Sequence, residues 1–311
     1  MCGMLLAMSR SGRWEIPSDV VGAWDELYGE DVVREWLAEA EELAERCENL
    51  WQLRIKGFLP GGSLSCVLAC RQANGTAAVL KLLAPWAQEA IGPEVLALSA
   101  WNGRGAVALL DHTPDGRALL LRRIRPGDVF EPSGHDEADC ERVVQTLRVL
   151  ASIPPPEGLP ALSAAVRTRF ARARGIARRR RGWITSQEIN DAERRAVELA
   201  QTATRHGLVH GDAQNKNLLL DDAAGMLVAI DPEPSAGDRH FDPALWALTH
   251  RPGKGVQERC DALAGLLDLN ADRLWCWCVV LAAPEVALDV AERAVAHREF
   301  LTRARPYRSR G

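Results

Sequence analysis

The chain has 311 residues, 47% of them apolar and 26% charged, with a formal net charge of −4. That length can bury a large core and divide into two lobes, and the composition is ordinary for a globular protein. No apolar run approaches the ~20 residues of a membrane span, and the negative balance argues against a general nucleic-acid binder while suiting a cationic partner.

Met1-Cys-Gly-Met-Leu-Leu-Ala-Met8 has no basic residue ahead of its apolar stretch, so no signal peptide is expected. About fifty helical residues follow. Pro17-Ser18-Asp19 is a start signal for a helix over Val20–Tyr28, and Glu30-Asp31 precedes a second over Val32–Cys47. Apolar residues at 33, 36, 37, 40, 43, 44 and 47 mark one face of the second, and Trp24 and Trp36 are expected to pack on what comes next.

From Leu50 the pattern changes to strands: Trp51–Phe58, Val67–Cys70, a turn at Asn74-Gly75, and Thr76–Leu83. Between the first two lies Gly61-Gly62-Ser63-Leu-Ser65, whose small residues would let backbone N–H groups of Gly62 and Ser63 approach an anion such as phosphate. Lys81 lies in the apolar strand Ala77-Ala-Val-Leu-Lys-Leu-Leu83, where a cation is costly unless it meets an anion; Glu89 and Glu94, on a helix over Trp86–Trp101, are the candidates. The alternative is a lysine that snorkels to solvent from an edge strand. Strands over Gly105–Asp111 and Arg117–Ile124 follow, joined by Thr113-Pro-Asp-Gly116.

Beyond Gly127 the chain reads as helical: Asp136–Ala151, a breaker at Ile153-Pro-Pro-Pro-Glu-Gly158, then Leu159–Arg181 and Ser186–His206. Arg167, Arg169, Arg172, Arg174 and the run 178–181 are the most basic stretch; without interleaved aromatics they read as a solvated helix face and not as a nucleic-acid patch. Further helices are expected over Pro243–His250, Val256–Leu267, Ala271–Ala282 and Glu285–Arg303. Cysteines at 2, 47, 66, 70, 140, 260, 276 and 278 form no Cys-x-x-Cys and read as reduced thiols buried as small hydrophobes in a cytoplasmic protein; the seven histidines supply no zinc cluster.

The chemistry is concentrated in Leu208-Val-His-Gly-Asp-Ala-Gln-Asn-Lys-Asn-Leu-Leu-Leu220 and the apolar run ending in Ile230-Asp231-Pro232-Glu233. Asp212, Asn217 five residues on and Asp231 fourteen further are bracketed by apolar segments that read as strands over 217–221 and 226–230, folded back at Asp221-Asp222-Ala-Ala-Gly225. Phosphoryl transfer needs an acceptor hydroxyl oriented by a carboxylate and divalent cations on oxygen ligands. Asp212 supplies the first, Asn217 and Asp231 the second, for Mg²⁺.

His210-Gly-Asp212-x-x-x-x-Asn217 with Ile-Asp231 downstream resembles the aminoglycoside phosphotransferase family, and Val228-Ala-Ile-Asp231-Pro232-Glu-Pro-Ser-Ala-Gly237-Asp238-Arg-His-Phe241-Asp242 looks most like its streptomycin and hydroxyurea phosphotransferase branch. Trp101-Asn-Gly-Arg-Gly-Ala-Val-Ala-Leu-Leu-Asp111 is similar to that branch as well. The resemblance implies an α+β, bilobal protein-kinase-like fold: an N-terminal helical extension at 1–49, an antiparallel-sheet nucleotide-binding lobe at 50–124 and a mainly helical lobe at 125–311. It also implies ATP or GTP with Mg²⁺, Glu94 as the partner of Lys81, Gly62 and Ser63 over the phosphates, and Arg123 and Ile124 at the adenine-binding hinge. His210 and Asp242 would support the catalytic loop. A polycationic antibiotic would be held by carboxylates, for which Glu233, Asp238 and Glu188 are candidates. Two positions depart from the related pattern: Gln214 stands where a His is common, and no acidic residue stands near Arg122.

The expected activity is therefore transfer of phosphate to a small hydroxylated antibiotic of streptomycin type, with no nucleic acid or membrane partner. The alternatives are another small acceptor, such as hydroxyurea, a cyclic peptide antibiotic or a metabolite, or a nucleotide-binding regulatory pseudokinase. A protein kinase is disfavoured by Pro-Glu in place of Phe-Gly after Asp231.

Overall fold

The computed structural model describes residues 7–8, 14–60, 65–179 and 183–304, with 7–8 and 87–91 by backbone alone. The chain forms two compact units, residues 1–95 with 108–123, and residues 96–107 with 124–311.

In the first unit β1 (Ala7–Met8) pairs with β2 (Glu15–Ile16), and α1 (Ser18–Tyr28) is followed at Gly29 by α2 (Glu30–Trp51). Glu30 and Asp31 suit the positive end of the α2 dipole, and Val33, Trp36, Ala40, Leu43, Ala44 and Cys47 form its buried stripe. The helix outruns its expected end and takes in Trp51; Gln52 stops it in the left-handed region, φ 49°. The strands are β3 (Leu53–Phe58), β4 (Ser65–Gln72) and β5 (Ala77–Leu83). After α3 (Gln88–Trp101), whose last six residues fall in the second unit, come β6 (Leu109–His112) and β7 (Ala118–Arg122). They make an antiparallel sheet in the order β3-β4-β5-β7-β6. Gly75 turns β4 into β5 with φ 84°, as Asn-Gly predicts.

Trp24 and Trp36 join the core that holds Leu68, Leu80 and Leu82 of this sheet. Trp36 packs edge-on against Trp24 at 5.0 Å and Trp86 at 5.1 Å, and Tyr28 stacks on Trp86 at 4.3 Å. Each such pair contributes about 0.5–1.5 kcal/mol beyond its buried area, so α1 and α2 are built into this unit.

In the second unit β8 (Pro126–Val129) forms in a stretch to which the sequence reading assigns no element. β8 adds to the hairpin of β10 and β11 introduced below, and the Phe130 N–H bonds the Leu218 carbonyl. Then come α4 (Asp136–Ser152), α5 (Leu162–Arg179), α6 (Ser186–Gln201), β9 (His206–Val209), β10 (Leu218–Asp221), β11 (Met226–Ala229) and β12 (Ser235–Asp238). α7 (Phe241–Thr249), α8 (Val256–Leu267), α9 (Ala271–Leu288) and α10 (Ala291–Arg303) complete it. The helix expected to end at Ala282 runs on through Pro284. A proline removes one backbone hydrogen bond, and burial of Trp277, Leu281 and Val286 on either side of it outweighs that loss. Cys276 on α9 is exposed, against the expectation for the thiols; Cys47, Cys66, Cys70, Cys140, Cys260 and Cys278 are buried.

Candidate active site

Lys81 sits on β5, an interior strand between β4 and β7, so the edge-strand alternative does not hold. The residue is 6% exposed, and its Nζ donates to Glu94 Oε1 at 2.7 Å and Oε2 at 3.0 Å. Glu94, on α3, is as buried as the lysine. A buried cation and anion that neutralise each other are stable where either alone would not be. The side chain of Glu89 and the residues Gly62 and Ser63 lie outside the described residues. The first unit's sheet segment ends at Arg123 and the second unit resumes at Ile124, the two residues expected at the hinge.

In the second unit, β9 delivers the chain to His210-Gly-Asp212, and a 3₁₀ turn over Asn215–Asn217 leads into β10. β10 and β11 pair as the predicted hairpin, Leu218 opposite Ala229, so Asn217 and Asp231 emerge at one end of it. The Ile230 N–H bonds the Asn217 carbonyl, which ties the two backbones together at that end. Asp231 has φ 57°, an uncommon conformation for a residue with a side chain and one that concentrates at functional sites.

Gly211 has φ 82°, and a Cβ there would run into the carbonyl oxygen of Glu233. The Glu233 N–H bonds the His210 carbonyl at 2.9 Å, so the loop and the segment after Asp231 are packed backbone to backbone. Asp242 accepts from the His210 N–H at 2.7 Å and the Gly211 N–H at 2.8 Å. Burial pushes the Asp242 carboxyl up to about 6, with the nearby Asp212 charge adding, even though those two hydrogen bonds oppose the shift. The His210 ring stacks on Trp101 at 5.8 Å, and Trp101 donates to the Leu150 carbonyl. His250 bridges Asn215 Oδ1 at 2.9 Å and Asp139 Oδ2 at 3.0 Å, anchoring the 3₁₀ turn to α4.

Asp212 is 7% exposed. Gln214 Nε2 donates to its Oδ1 at 2.7 Å, and Asn217 Nδ2 at 2.8 Å and Lys216 Nζ at 3.0 Å reach its Oδ2. Burial opposes the Asp212 charge, but Lys216 and Arg169 outweigh it and hold the carboxyl well below the usual range. Because the amide nitrogen of Asn217 is spent on Asp212, its Oδ1 is the atom it has to offer a cation. Asn217 and Asp231 therefore make an oxygen donor set suited to a hard divalent ion.

The acceptor-side candidates divide. Glu233 is partly exposed and pairs with Arg172 at 2.7 Å, with Arg169 Nη1 3.6 Å away. Asp238 is fully buried and shared by His240 at 2.6 Å, Arg273 at 2.6 Å and Trp277 at 2.8 Å; it is a junction of β12, α7 and α9 and presents no face to a ligand. Burial works against its charge, and the His240 and Trp277 hydrogen bonds bring its carboxyl down to about 2. Glu188 completes a capping box with Thr185 and pairs with Arg298, so it serves the start of α6.

Arg169, Arg172, Gln214 and Lys216 were not singled out from the sequence as site residues. Arg169 is the exception to the reading of α5 as a solvated basic face, being 5% exposed and bonded to Glu285 at 2.5 Å, whereas Arg172 is exposed and pairs with Glu233. The signal was present, since Leu162, Val166, Arg169, Phe170 and Ala173 recur at helical spacing as the buried face of α5. Among the described residues Glu285, Asp289 and His297 bring ligand-type atoms within 4.8 Å of one another, but Arg169 and Arg293 already neutralise the two carboxylates.

The fold has counterparts. Choline kinase LicA from Streptococcus pneumoniae superposes with a TM-score of 0.61 at 12% identity, over 85% of this chain and 97% of that one, which makes the fold protein-kinase-like. Streptomycin 6-kinase of Streptomyces glaucescens is 30% identical over 87% of this chain and 89% of its own length. Hydroxyurea phosphotransferase of Kitasatospora aureofaciens is 33% identical over 91% of this chain and 82% of its own. No described helix is long and apolar enough to cross a membrane. Residues 50–289 match the model of the aminoglycoside/hydroxyurea antibiotic resistance kinases, and the chain belongs to that family of phosphotransferases.

Proposed function

We propose that this enzyme uses ATP or GTP with Mg²⁺ to phosphorylate a hydroxyl of a small antibiotic of streptomycin type and so inactivates it. The observation that carries the reading is the setting of Asp212: a buried, ionised carboxylate held by Gln214, Asn217 and Lys216 at the end of the β10–β11 hairpin. Asp212 orients the acceptor hydroxyl. The acceptor oxygen bonds the γ-phosphorus, the bond to the bridging oxygen breaks with its electron pair staying on the nucleoside diphosphate, and the hydroxyl proton passes to Asp212. A carboxylate held this acidic is a weak base in the resting enzyme, so it acts chiefly by orientation and takes the proton as the new bond forms.

Asn217 Oδ1 and the Asp231 carboxylate would hold Mg²⁺, which when bound neutralises phosphate charge. Lys81, fixed by Glu94, would grip the α- and β-phosphates, with Gly62 and Ser63 covering them and Arg123 and Ile124 meeting the base. Of the acceptor-side carboxylates Glu233 is the partly exposed one beside Asp212's partner Arg169, and a cationic antibiotic would compete with Arg172 for it. Hydroxyurea is the second reading, supported by the relative at 33% identity.

Turnover of ATP and GTP with Mg²⁺ against streptomycin, other aminoglycosides, cyclic peptide antibiotics and hydroxyurea, with mass spectrometry of each acceptor, tests this. Phosphate on streptomycin is the expected result. Phosphate on hydroxyurea alone moves the assignment to the second reading, and nucleotide binding without turnover on any acceptor would sink both.

A further inference from the structure

Arg169 belongs to the buried stripe of α5, between Val166 and Phe170. Its Nε and Nη2 both donate to Glu285 Oε1 on α9, at 3.2 and 2.5 Å, and Glu285 is itself 2% exposed. The remaining amino group, Nη1, is buried and has no hydrogen-bond partner among the described residues. It stands 3.7 Å from Asp212 Oδ1 and 3.6 Å from Glu233 Oε2, inside the range of charge attraction and beyond hydrogen-bond reach.

A buried donor left unmade is expensive, more so on a charged group, and native proteins keep few of them. Here the surroundings hold it in place: Glu285 Oε1 takes the Nε–Nη2 edge of the guanidinium, and Nη1 lies toward Asp212 and Glu233. In the mechanism above the acceptor comes to Asp212, which orients the reacting hydroxyl. Glu233, as near to Nη1 as Asp212 is, would repel a phosphate, so the donor is set for the acceptor and not for the nucleotide.

Resting on that reading of Asp212, we propose that Arg169 is a catalytic residue that binds the acceptor, its Nη1 donating to an acceptor oxygen on the atom next to the one bearing the reacting hydroxyl. Asp212 and Arg169 then form a two-point grip, acceptor oxygen to donor and hydroxyl to carboxylate. The class of substrate selected is one with oxygens on adjacent atoms: a vicinal diol on a sugar or cyclitol ring, or a hydroxyl beside a carbonyl. A lone alcohol would leave the Nη1 donor unpaired and be discriminated against.

The test uses Arg169→Lys and the double variant Arg169→Met with Glu285→Gln, which removes the donor without stranding the Glu285 carboxylate and leaves Lys216 on Asp212. Each is assayed beside the wild type for thermal unfolding, nucleotide KM, and acceptor kcat/KM with streptomycin and hydroxyurea. The expected outcome is a folded double variant with unchanged nucleotide KM and an acceptor kcat/KM lower by roughly 100-fold, the scale of an orienting hydrogen bond to a charged donor. Arg169→Lys should fall nearly as far, because an ammonium cannot hold both Glu285 and the acceptor in one plane. A folded double variant within about threefold of wild type overturns the proposal. So does a loss that appears in nucleotide KM instead. If the wild type transfers to neither compound, the proposed function itself fails and this assignment falls with it; an active wild type matched by the variant removes Arg169 alone.

Discussion

Lys81 and Glu94 in the first unit make a compact pair, two charges that meet at hydrogen-bond distance and are both buried away from water. Around Asp212 in the second unit the charges make an open network: Arg169, Lys216, Glu233, Arg172 and Glu285 share contacts, some at hydrogen-bond distance and some not. The compact pair holds a shape and positions one cation. An open network keeps donors and acceptors in reserve for a ligand, and its carboxylate is tuned by several neighbours at once.

The comparison predicts a ranking of effects. Asp212→Asn removes the centre of the network and should cost about 10³-fold or more in kcat while nucleotide affinity, read by fluorescence titration, stays near wild type. Lys81→Met leaves Glu94 buried and uncompensated; unfolding in urea should report a loss of about 3–5 kcal/mol. Pairing it with Glu94→Leu should recover most of that stability and none of the transfer, whereas full recovery of transfer would deny the lysine its part in phosphate binding.

Acid titration separates the remaining groups. Asp238, with a lowered carboxyl, contributes stability that is present above its ordinary value near 4 and is lost as pH falls toward about 2. Asp242, with a raised one, contributes stability that is full below about 4 and is lost as pH rises through about 6. Denaturation midpoints measured from pH 2 to 7 should therefore flatten at the acid end in Asp238→Asn, and between about 4 and 6 in Asp242→Asn. The smallest effect is expected from Lys216→Met. The Lys216 side chain is 64% exposed, so water already screens its pairing, and transfer should drop only roughly two- to fivefold. A much larger drop would make Lys216 a contact of the transferred group.

What could be read without coordinates follows the same division. Lys81 in an apolar strand, Asp212 and Asn217 at a spacing of five, and Asp231 closing the next strand are local signals, legible because chain neighbours fix their setting. Asp238 is hard to read because a carboxylate looks alike in sequence whether it meets a ligand or a buried partner. Arg169 was hidden by its own neighbours, a row of arginines that resembles a solvated face until Glu285, 116 residues later, is brought beside it. β8 was missed because its four residues draw their order from pairing with β10 and carry no alternation of their own. α9 outran its expected end because packing on both sides of Pro284 outweighs one absent hydrogen bond.

The contact between Gly211 and the backbone of Glu233 has a consequence in genetic terms. Every glycine codon is of the form GGN, so any base change at its first or second position yields a stop codon or a residue with a Cβ, and each such residue meets the Glu233 carbonyl. Position 211 therefore has no neighbouring amino acid in sequence space that keeps the loop. A selection for loss of resistance should recover substitutions there as readily as at Asp212, although glycine contributes no reactive group of its own.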